Sequence, residues 1–303
     1  MTPLLPPEDM YQLTSTPVKP EWLLKATQVK VECGDDFEPI FNHTMLIKTP
    51  LMQFPLTNHS TPDIEVTIKL GKPRGSGYLW DVYEAIVYNP DTGDSLEVVV
   101  KYTLPFTFEG LKYHDDWLCD DQTLEGIAID AIETEHRMYT KDLLELQGKD
   151  IPIHYGTFAD QRKKAFCMIL EDVGDPIGNL PAMWNIDEAD KIRIKEIFES
   201  IHKLNILHWT VERDNVCKRE KDGAIRVIDF HRAARTDSAL DLAWEQHEAE
   251  INVGLATWIM YADFVEDFHE AAAKIKNNAE QDNASVEPDQ SNKRKRKHSD
   301  AKL

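Results

Sequence analysis

"ILHWTVERDNV", residues 206–216, opens on an apolar pair and closes around Asn215. A short β-rich run, "IRVIDF" at 225–230, follows and ends in Asp229 and Phe230. A histidine (His208) seven residues before an asparagine, then a strand delivering an aspartate, is the layout of a phosphotransfer site. Where such a site keeps its catalytic aspartate, this chain has Thr210. The question for the rest of the chain is whether it transfers phosphate or keeps the apparatus for something else.

The totals narrow the answer. With 303 residues the chain can bury a sizeable core in one large domain or two small ones. A hydrophobic content of 42% and a charged content of 29% are ordinary for a globular protein, but a formal net charge of −20 is not. Residues 277–303 carry six Lys/Arg against five Asp/Glu, so the body before them carries −21. A body that acidic repels polyanions, which argues against extended nucleic-acid binding and against docking on anionic lipid. The cysteines (Cys33, Cys119, Cys167, Cys217) form no C-x-x-C pair and read as reduced intracellular thiols. The first twenty residues lack a basic segment followed by an apolar core, so no secretory leader is expected. The longest apolar candidate, "VGLATWIMYADF" at 253–264, is interrupted by an acid, and no membrane span is expected.

Patterning sharpens from residue 64. "IEVTIKL" alternates as a strand; a glycine turn leads to "DVYEAIVY", and the dense turn "NPDTGD" leads to "SLEVVVKY", which together predict an antiparallel meander. Apolar residues Ala128, Ala131, Ile132, Met138, Tyr139 and Leu143 recur at helical spacing and predict a long helix over about 124–147, ended by Gly148. "IPIHYGTF" and "AFCMILEDVG" predict two more strands, and helices are expected at roughly 187–204 and 238–275. Residues 21–60 have mixed patterning that supports no assignment. From Asn277 the polar composition predicts disorder.

Several residues are placed where they could act together. "LGKPRGSGYLWDVYEA", from Leu70 to Ala85, satisfies most of the pattern G-x-G-x-x-G-x-V through Gly75, Gly77 and Val82, with Gly71 just before them. A strand–turn–strand without side chains at its tip can lay N–H groups over phosphates, although Trp80 puts a large ring at the third glycine position. Lys101 closes the run Val98-Val99-Val100, and a lysine ending a buried strand needs an anion to face. The plain alternative is a lysine snorkelling at a strand end. Glu135 lies three or four residues from Ala131, Ile132, Met138 and Tyr139, so it shares the helix's apolar face, whereas Glu133 shares the polar one. An inward carboxylate wants a cation, and Lys101–Glu135 is the expected pair. His208 reads as a core histidine bracing its loop.

These elements, in this order, resemble a protein-kinase-like domain over roughly residues 64–272. The chain is most similar to the short fungal-type kinase-like proteins, which share Leu146-Gln147-Gly148, Ile151-Pro152, Tyr155-Gly156, the run Leu207 to Asn215 and the run Ile228 to Ala233. The resemblance implies an α+β, two-lobed protein-kinase-like fold. After an N-terminal extension (1–63) would come an N-lobe of antiparallel sheet plus one long helix (64–172) and a small, mainly helical C-lobe (173–276). It implies ATP and Mg²⁺ in the interlobe cleft. Gly71, Gly75, Gly77, Val82, Lys101 and Glu135 would form the nucleotide side, the backbone from Glu171 to Val173 would hold adenine, and Asn215 and Asp229 would be the metal ligands. The chain departs from the pattern at Thr210, at His231 in place of a glycine, and in having no A-P-E segment after Asp229. With fewer than fifty residues between Asp229 and the polar stretch that starts at Asn277, the usual activation segment and peptide-docking helices are not expected.

A threonine hydroxyl cannot accept a proton at neutral pH as a carboxylate does. General-base help is worth roughly 10²–10⁴ in rate, about 3–5 kcal/mol, and its loss slows transfer without abolishing nucleotide or Mg²⁺ binding. Asp214, or Glu212, could stand in only through a backbone shift. A pseudokinase therefore ranks first, with an unidentified protein partner or substrate. An active atypical kinase with a displaced base comes second and a small-molecule phosphotransferase third. The run "KRKRK" at 293–297 resembles a nuclear localisation signal, so the expected location is intracellular, in nucleus or cytoplasm, with a solvated charge run as the plain alternative.

Overall fold

The computed structural model describes residues 20–32, 44–48, 65–77, 79–107, 123–160, 164–179 and 186–255. The chain divides into a unit of residues 1–256 and one of 257–303, and every described residue belongs to the first. The fold is α+β.

After a single helical turn, α1 (Glu21–Leu24), come the strands β1 (Gln28–Glu32), β2 (Thr44–Lys48), β3 (Glu65–Ser76), β4 (Asp81–Tyr88) and β5 (Ser95–Thr103), followed by helix α2 (Leu124–Arg137), β6 (His154–Ala159) and β7 (Phe166–Glu171). The seven strands pair in the order β1-β2-β6-β7-β5-β4-β3, and β3 returns to β1 in parallel, closing a barrel. The reason is in the alternation. Val29 and Val31, Val66, Ile68 and Leu70, Val98, Val100 and Tyr102, and Cys167 and Ile169 all turn inward and form one buried cluster. Closure removes the sheet edges that would otherwise stay unpaired. Residues 1–63, expected as an extension, therefore supply two barrel strands. The two-valine alternation of "QVKVE" was too short to announce a strand whose partner, β3, lies more than thirty residues on.

Opposite-facing residues of the same strands build a second cluster. Phe166, Met168 and Leu170 of β7 meet Ala128 and Ile132 of α2, and the cluster continues into helices α3 (Glu188–His202) and α4 (Ala239–Asn252). Short strands lie between: β8 (Asp175–Pro176), β9 (Ile206–Leu207), β10 (Val216–Lys218), β11 (Ile225–Val227) and β12 (Ala234–Arg235), paired as β11-β10-β8 and β12-β9. Phe230 is fully buried here, edge-on to His208 at 4.8 Å and to Tyr139 at 5.6 Å.

Two helix expectations are corrected. α2 begins at the Thr123 cap, whose hydroxyl accepts from Gly126 N–H, but ends at Arg137 instead of near 147. Residues Met138–Asp142 widen into a π turn, in which Leu143 N–H donates to Met138 O at 2.8 Å, and Leu144–Leu146 tighten into a 3-10 turn. Tertiary partners hold the switch: Gln147 Nε2 donates to Tyr139 O at 2.6 Å, and Arg235 Nη2 donates to the buried Asp142 carboxylate at 2.9 Å. α4 starts at the Ser238 cap and ends at Asn252, with residues 253–255 turning out of the helix; residues 256–275 of the expected 238–275 helix lie outside the described residues, as do the 277–303 tail and its basic run. Among the described residues, no helix is long and apolar enough to cross a membrane.

Candidate functional site

Strand alternation turns Lys101 out of the barrel core. It pairs in register with Val82 of β4 and Met168 of β7, on the face covered by α2. Lys101 Nζ donates to Glu135 Oε1 at 2.6 Å and to Asp229 Oδ1 at 2.7 Å. Glu135 is fully buried and Lys101 nearly so. One ammonium thus joins a strand of the barrel, the long helix and the segment after β11. Burial works against its charge, but the Asp229 and Glu135 carboxylates outweigh that cost and raise its pKa above the ordinary lysine value. Burial likewise works against the Asp229 carboxylate. The Lys101 charge and the His231 hydrogen bond overcome it and hold Asp229 well below the usual carboxylate range. His231 Nδ1 lies 2.9 Å from Asp229 Oδ1. Asp229 itself has φ +72°, a left-handed conformation that a non-glycine residue holds only under tertiary constraint.

Trp80 completes the cluster. Its indole Nε1 donates to Glu135 Oε2 at 2.7 Å, and its ring lies beneath Lys101 Nζ at 5.7 Å from the centroid. Both Glu135 oxygens are therefore engaged, one by the lysine and one by the indole. The large ring at the position where the pattern has its third glycine is buried against Lys101 and Glu135. Replacing Trp80 with Phe keeps most of the ring and removes the donor. Chemical denaturation of that variant is expected to show a loss of about 1–3 kcal/mol, the cost of an unsatisfied buried carboxylate oxygen; an unchanged midpoint would mean that the bond contributes nothing.

The glycines divide by role. Gly71 sits at the irregularity between Leu70 and Pro73, where an added Cβ would stand 3.1 Å from Glu84 O, so sheet packing accounts for it. Gly75 has open space around it, and Gly77 N–H donates to Trp80 O at 2.8 Å, closing the tip. Arg74, one residue earlier, reaches across to Asp172 with two hydrogen bonds of 2.7 and 2.8 Å. This fork ties β3 to the segment after β7. Although burial disfavours its charge, Arg74 and the Gly174 N–H keep Asp172 below the ordinary aspartate value. The Glu171 side chain is structural: it accepts from Ile153 N–H at 3.1 Å and from Arg219 Nη1 at 2.8 Å. Val173 is buried beside it, and Gly174 (φ +87°) passes so close to Lys218 O that no Cβ would fit. Cys217 of β10 lies where the charges of Arg74, Asp172, Asp175 and Lys101 reach it, and burial pushes its thiol up to about 12.

The loop that opened the reading is clamped from below. Glu245 of α4 accepts from His202 Nε2 at 2.8 Å, His208 N–H at 2.9 Å and Trp209 N–H at 2.7 Å. Burial pushes His208 below the ordinary histidine value, so its ring is neutral. Its Nε2 faces Ile228 O at 2.8 Å and must donate to it; Nδ1, 3.0 Å from Thr210 Oγ1, is therefore the acceptor of the threonine proton. Asn215 Nδ2 donates to Thr210 O at 2.9 Å, and Asn215 O accepts from Ile228 N–H at 2.9 Å, which couples the loop to the Asp229 segment. Asp214 Oδ1 lies over Gly178, only 2.1 Å from where a Cβ there would stand.

Of the residues singled out in the sequence, Lys101, Glu135 and Asp229 meet directly, and Thr210 and Asn215 share a hydrogen bond. Gly71, the Glu171 carboxylate and Asp214 are occupied elsewhere. Sequence reasoning missed Arg74, Asp172, Arg219 and Glu245, which each bond a partner remote in the chain, and treated Trp80 only as a departure from a pattern. Compared with known proteins, the chain matches no family model, and no curated protein matches its sequence.

Proposed function

We propose that the chain is a protein-kinase-like pseudokinase: a two-lobed, nucleotide-responsive binding module that takes ATP with Mg²⁺ in its cleft and transfers phosphate weakly or not at all. One observation carries this reading, the Lys101 ammonium bridging the Glu135 and Asp229 carboxylates at 2.6 and 2.7 Å. A lysine–glutamate pair of this kind orients nucleotide phosphates, and the Asp229 carboxylate and Asn215 amide oxygen are hard donors that suit Mg²⁺. Bound Mg²⁺ would neutralise phosphate charge. The chain's own residues do the rest: Gly75 and Gly77 cover the phosphates, Val82 and the Glu171–Val173 backbone hold the base, and Lys101 turns from Asp229 to the phosphates.

Absence of a base supports the "weakly or not at all". The Thr210 proton is committed to His208, and Asp214 packs on Gly178, which disfavours it as a displaced base. The Trp80 ring and the Arg74–Asp172 fork must also yield to a nucleotide, so the competent state is a fraction of the population and the apparent affinity falls by that fraction.

Thermal unfolding with and without Mg²⁺ tests the proposal. At ten times Kd, ATP with Mg²⁺ stabilises by about 1.4 kcal/mol, a rise in Tm of about 3–5 °C. No shift at millimolar ATP would leave a scaffold without nucleotide. The basic run 293–297 is the proposed nuclear address: a chain ending near Asn277 is expected to lose nuclear accumulation and keep its Tm, and unchanged localisation would overturn that part.

A further inference from the structure

The geometry points to a transition-metal site in this cleft: Glu135, Asp229 and His231 bind a borderline divalent cation of the Zn²⁺ class, in exchange for the Lys101 ammonium. It goes beyond the nucleotide reading, because the cation needs no phosphate to hold it. The three side chains each offer one ligand atom, and all of these atoms lie within 4.8 Å of one another. Metal–ligand bonds of about 2.0–2.2 Å set ligand atoms roughly 3–4.4 Å apart, so shifts of a few tenths of an ångström close the site.

Donor chemistry decides which cation. Mg²⁺ takes oxygen and keeps its waters, whereas an imidazole with two carboxylates suits a first-row metal such as Zn²⁺ or Co²⁺. His231 is the residue that changes the class of site, and its Nδ1 already faces Asp229 Oδ1 at 2.9 Å. Electrostatics explains why the site persists. A fully buried Glu135 carboxylate must face a cation, and Lys101 supplies one at 2.6 Å. A divalent ion neutralises Glu135 and Asp229 together, which one ammonium cannot. The lysine head sits on a flexible four-carbon stem and can swing away. Metal and ammonium thus compete for the same two carboxylates, and a metal-bound cleft presents Lys101 free to meet an anion.

The competition gives the test, with Zn²⁺ alone and no nucleotide. Lys101→Met removes the competitor, and Zn²⁺ is expected to bind this variant at least about tenfold more tightly than wild type, raising its Tm. Adding His231→Ala to Lys101→Met is expected to return the affinity to the wild-type level or below. Equal affinity of Lys101→Met and wild type, or tight binding that survives His231→Ala, would overturn the proposal. If Lys101→Met does not fold, Co²⁺ titrated into the full wild-type chain replaces it. A visible absorption band lost in His231→Ala supports the site; no band, or one that survives, overturns it. Neither arm contains ATP, so its failure leaves the nucleotide reading standing, and a missing ATP shift leaves this one standing.

Discussion

Lys101→Met is expected to lose about 3–5 kcal/mol of stability and, with it, the rise in Tm that the proposed nucleotide site would give with ATP. The size follows from what remains. Removing the ammonium leaves Glu135 fully buried with Asp229 beside it and, among the described residues, only the Trp80 indole to balance Glu135. Breaking a buried pair by taking away one partner costs far more than the pair contributes on its own, because the other charge stays desolvated. The pH profile of the difference between wild type and variant carries the signature. The Asp229 pKa is lowered in the folded protein, so its share is present above the unfolded value, about 3.9, and is lost as pH falls below it. The Lys101 pKa is raised, so its share is present below about 10.4 and is lost as pH rises through the folded value. The difference is therefore flat from about pH 5 to pH 9 and shrinks on either side. A loss under 1 kcal/mol would show that water reaches Glu135 and that the three-way pair does not organise this cluster.

Thr210→Asp raises ATP turnover by at least about tenfold, within the range that general-base catalysis supplies. The substitution places a carboxylate at the loop position and removes the proton that Thr210 donates to His208 Nδ1. Backbone geometry is preserved, because Asn215 Nδ2 bonds the Thr210 carbonyl and Glu245 bonds the His208 and Trp209 N–H groups, none of which involves the threonine side chain. Asp214→Ala is the matched control. Its carboxylate rests on Gly178, so it is expected to leave any wild-type turnover unchanged, and abolished turnover would restore the displaced-base reading. If Thr210→Asp stays at background while ATP still binds, the missing base is not the only lesion, and the Trp80 ring beneath Lys101 is the next to change. Trp80→Gly combined with Thr210→Asp separates the two.

Legibility followed sequence distance. The meander β3–β4–β5 was readable because its hairpins are local and its alternation covers eight or more residues per strand. Helical spacing singled out Glu135 from Glu133, and a valine run singled out Lys101; each of those inferences needed only neighbours. The π turn at Met138–Asp142 was not readable, since its amphipathic spacing continues that of α2 and the change of winding is held by Gln147 and Arg235. The Arg74–Asp172 fork spans 98 residues, and no local pattern marks either end.

The sequence by itself determined the α+β class, the strands β3 to β7 and β11, the positions of α3 and of the start of α4, and the pairing of Lys101 with Glu135 on the apolar face of α2. Period and branching act within a few residues, so they are written locally. Only the tertiary structure decided that residues 28–32 and 44–48 close the sheet into a barrel, that Trp80 holds Glu135, and that Lys101 answers to two carboxylates. A buried charge accepts whichever partner folding brings within about 3 Å, and that choice is made by packing across the whole chain. The sequence could name the charges; the packing of the barrel against α2 and the Asp229 segment paired them.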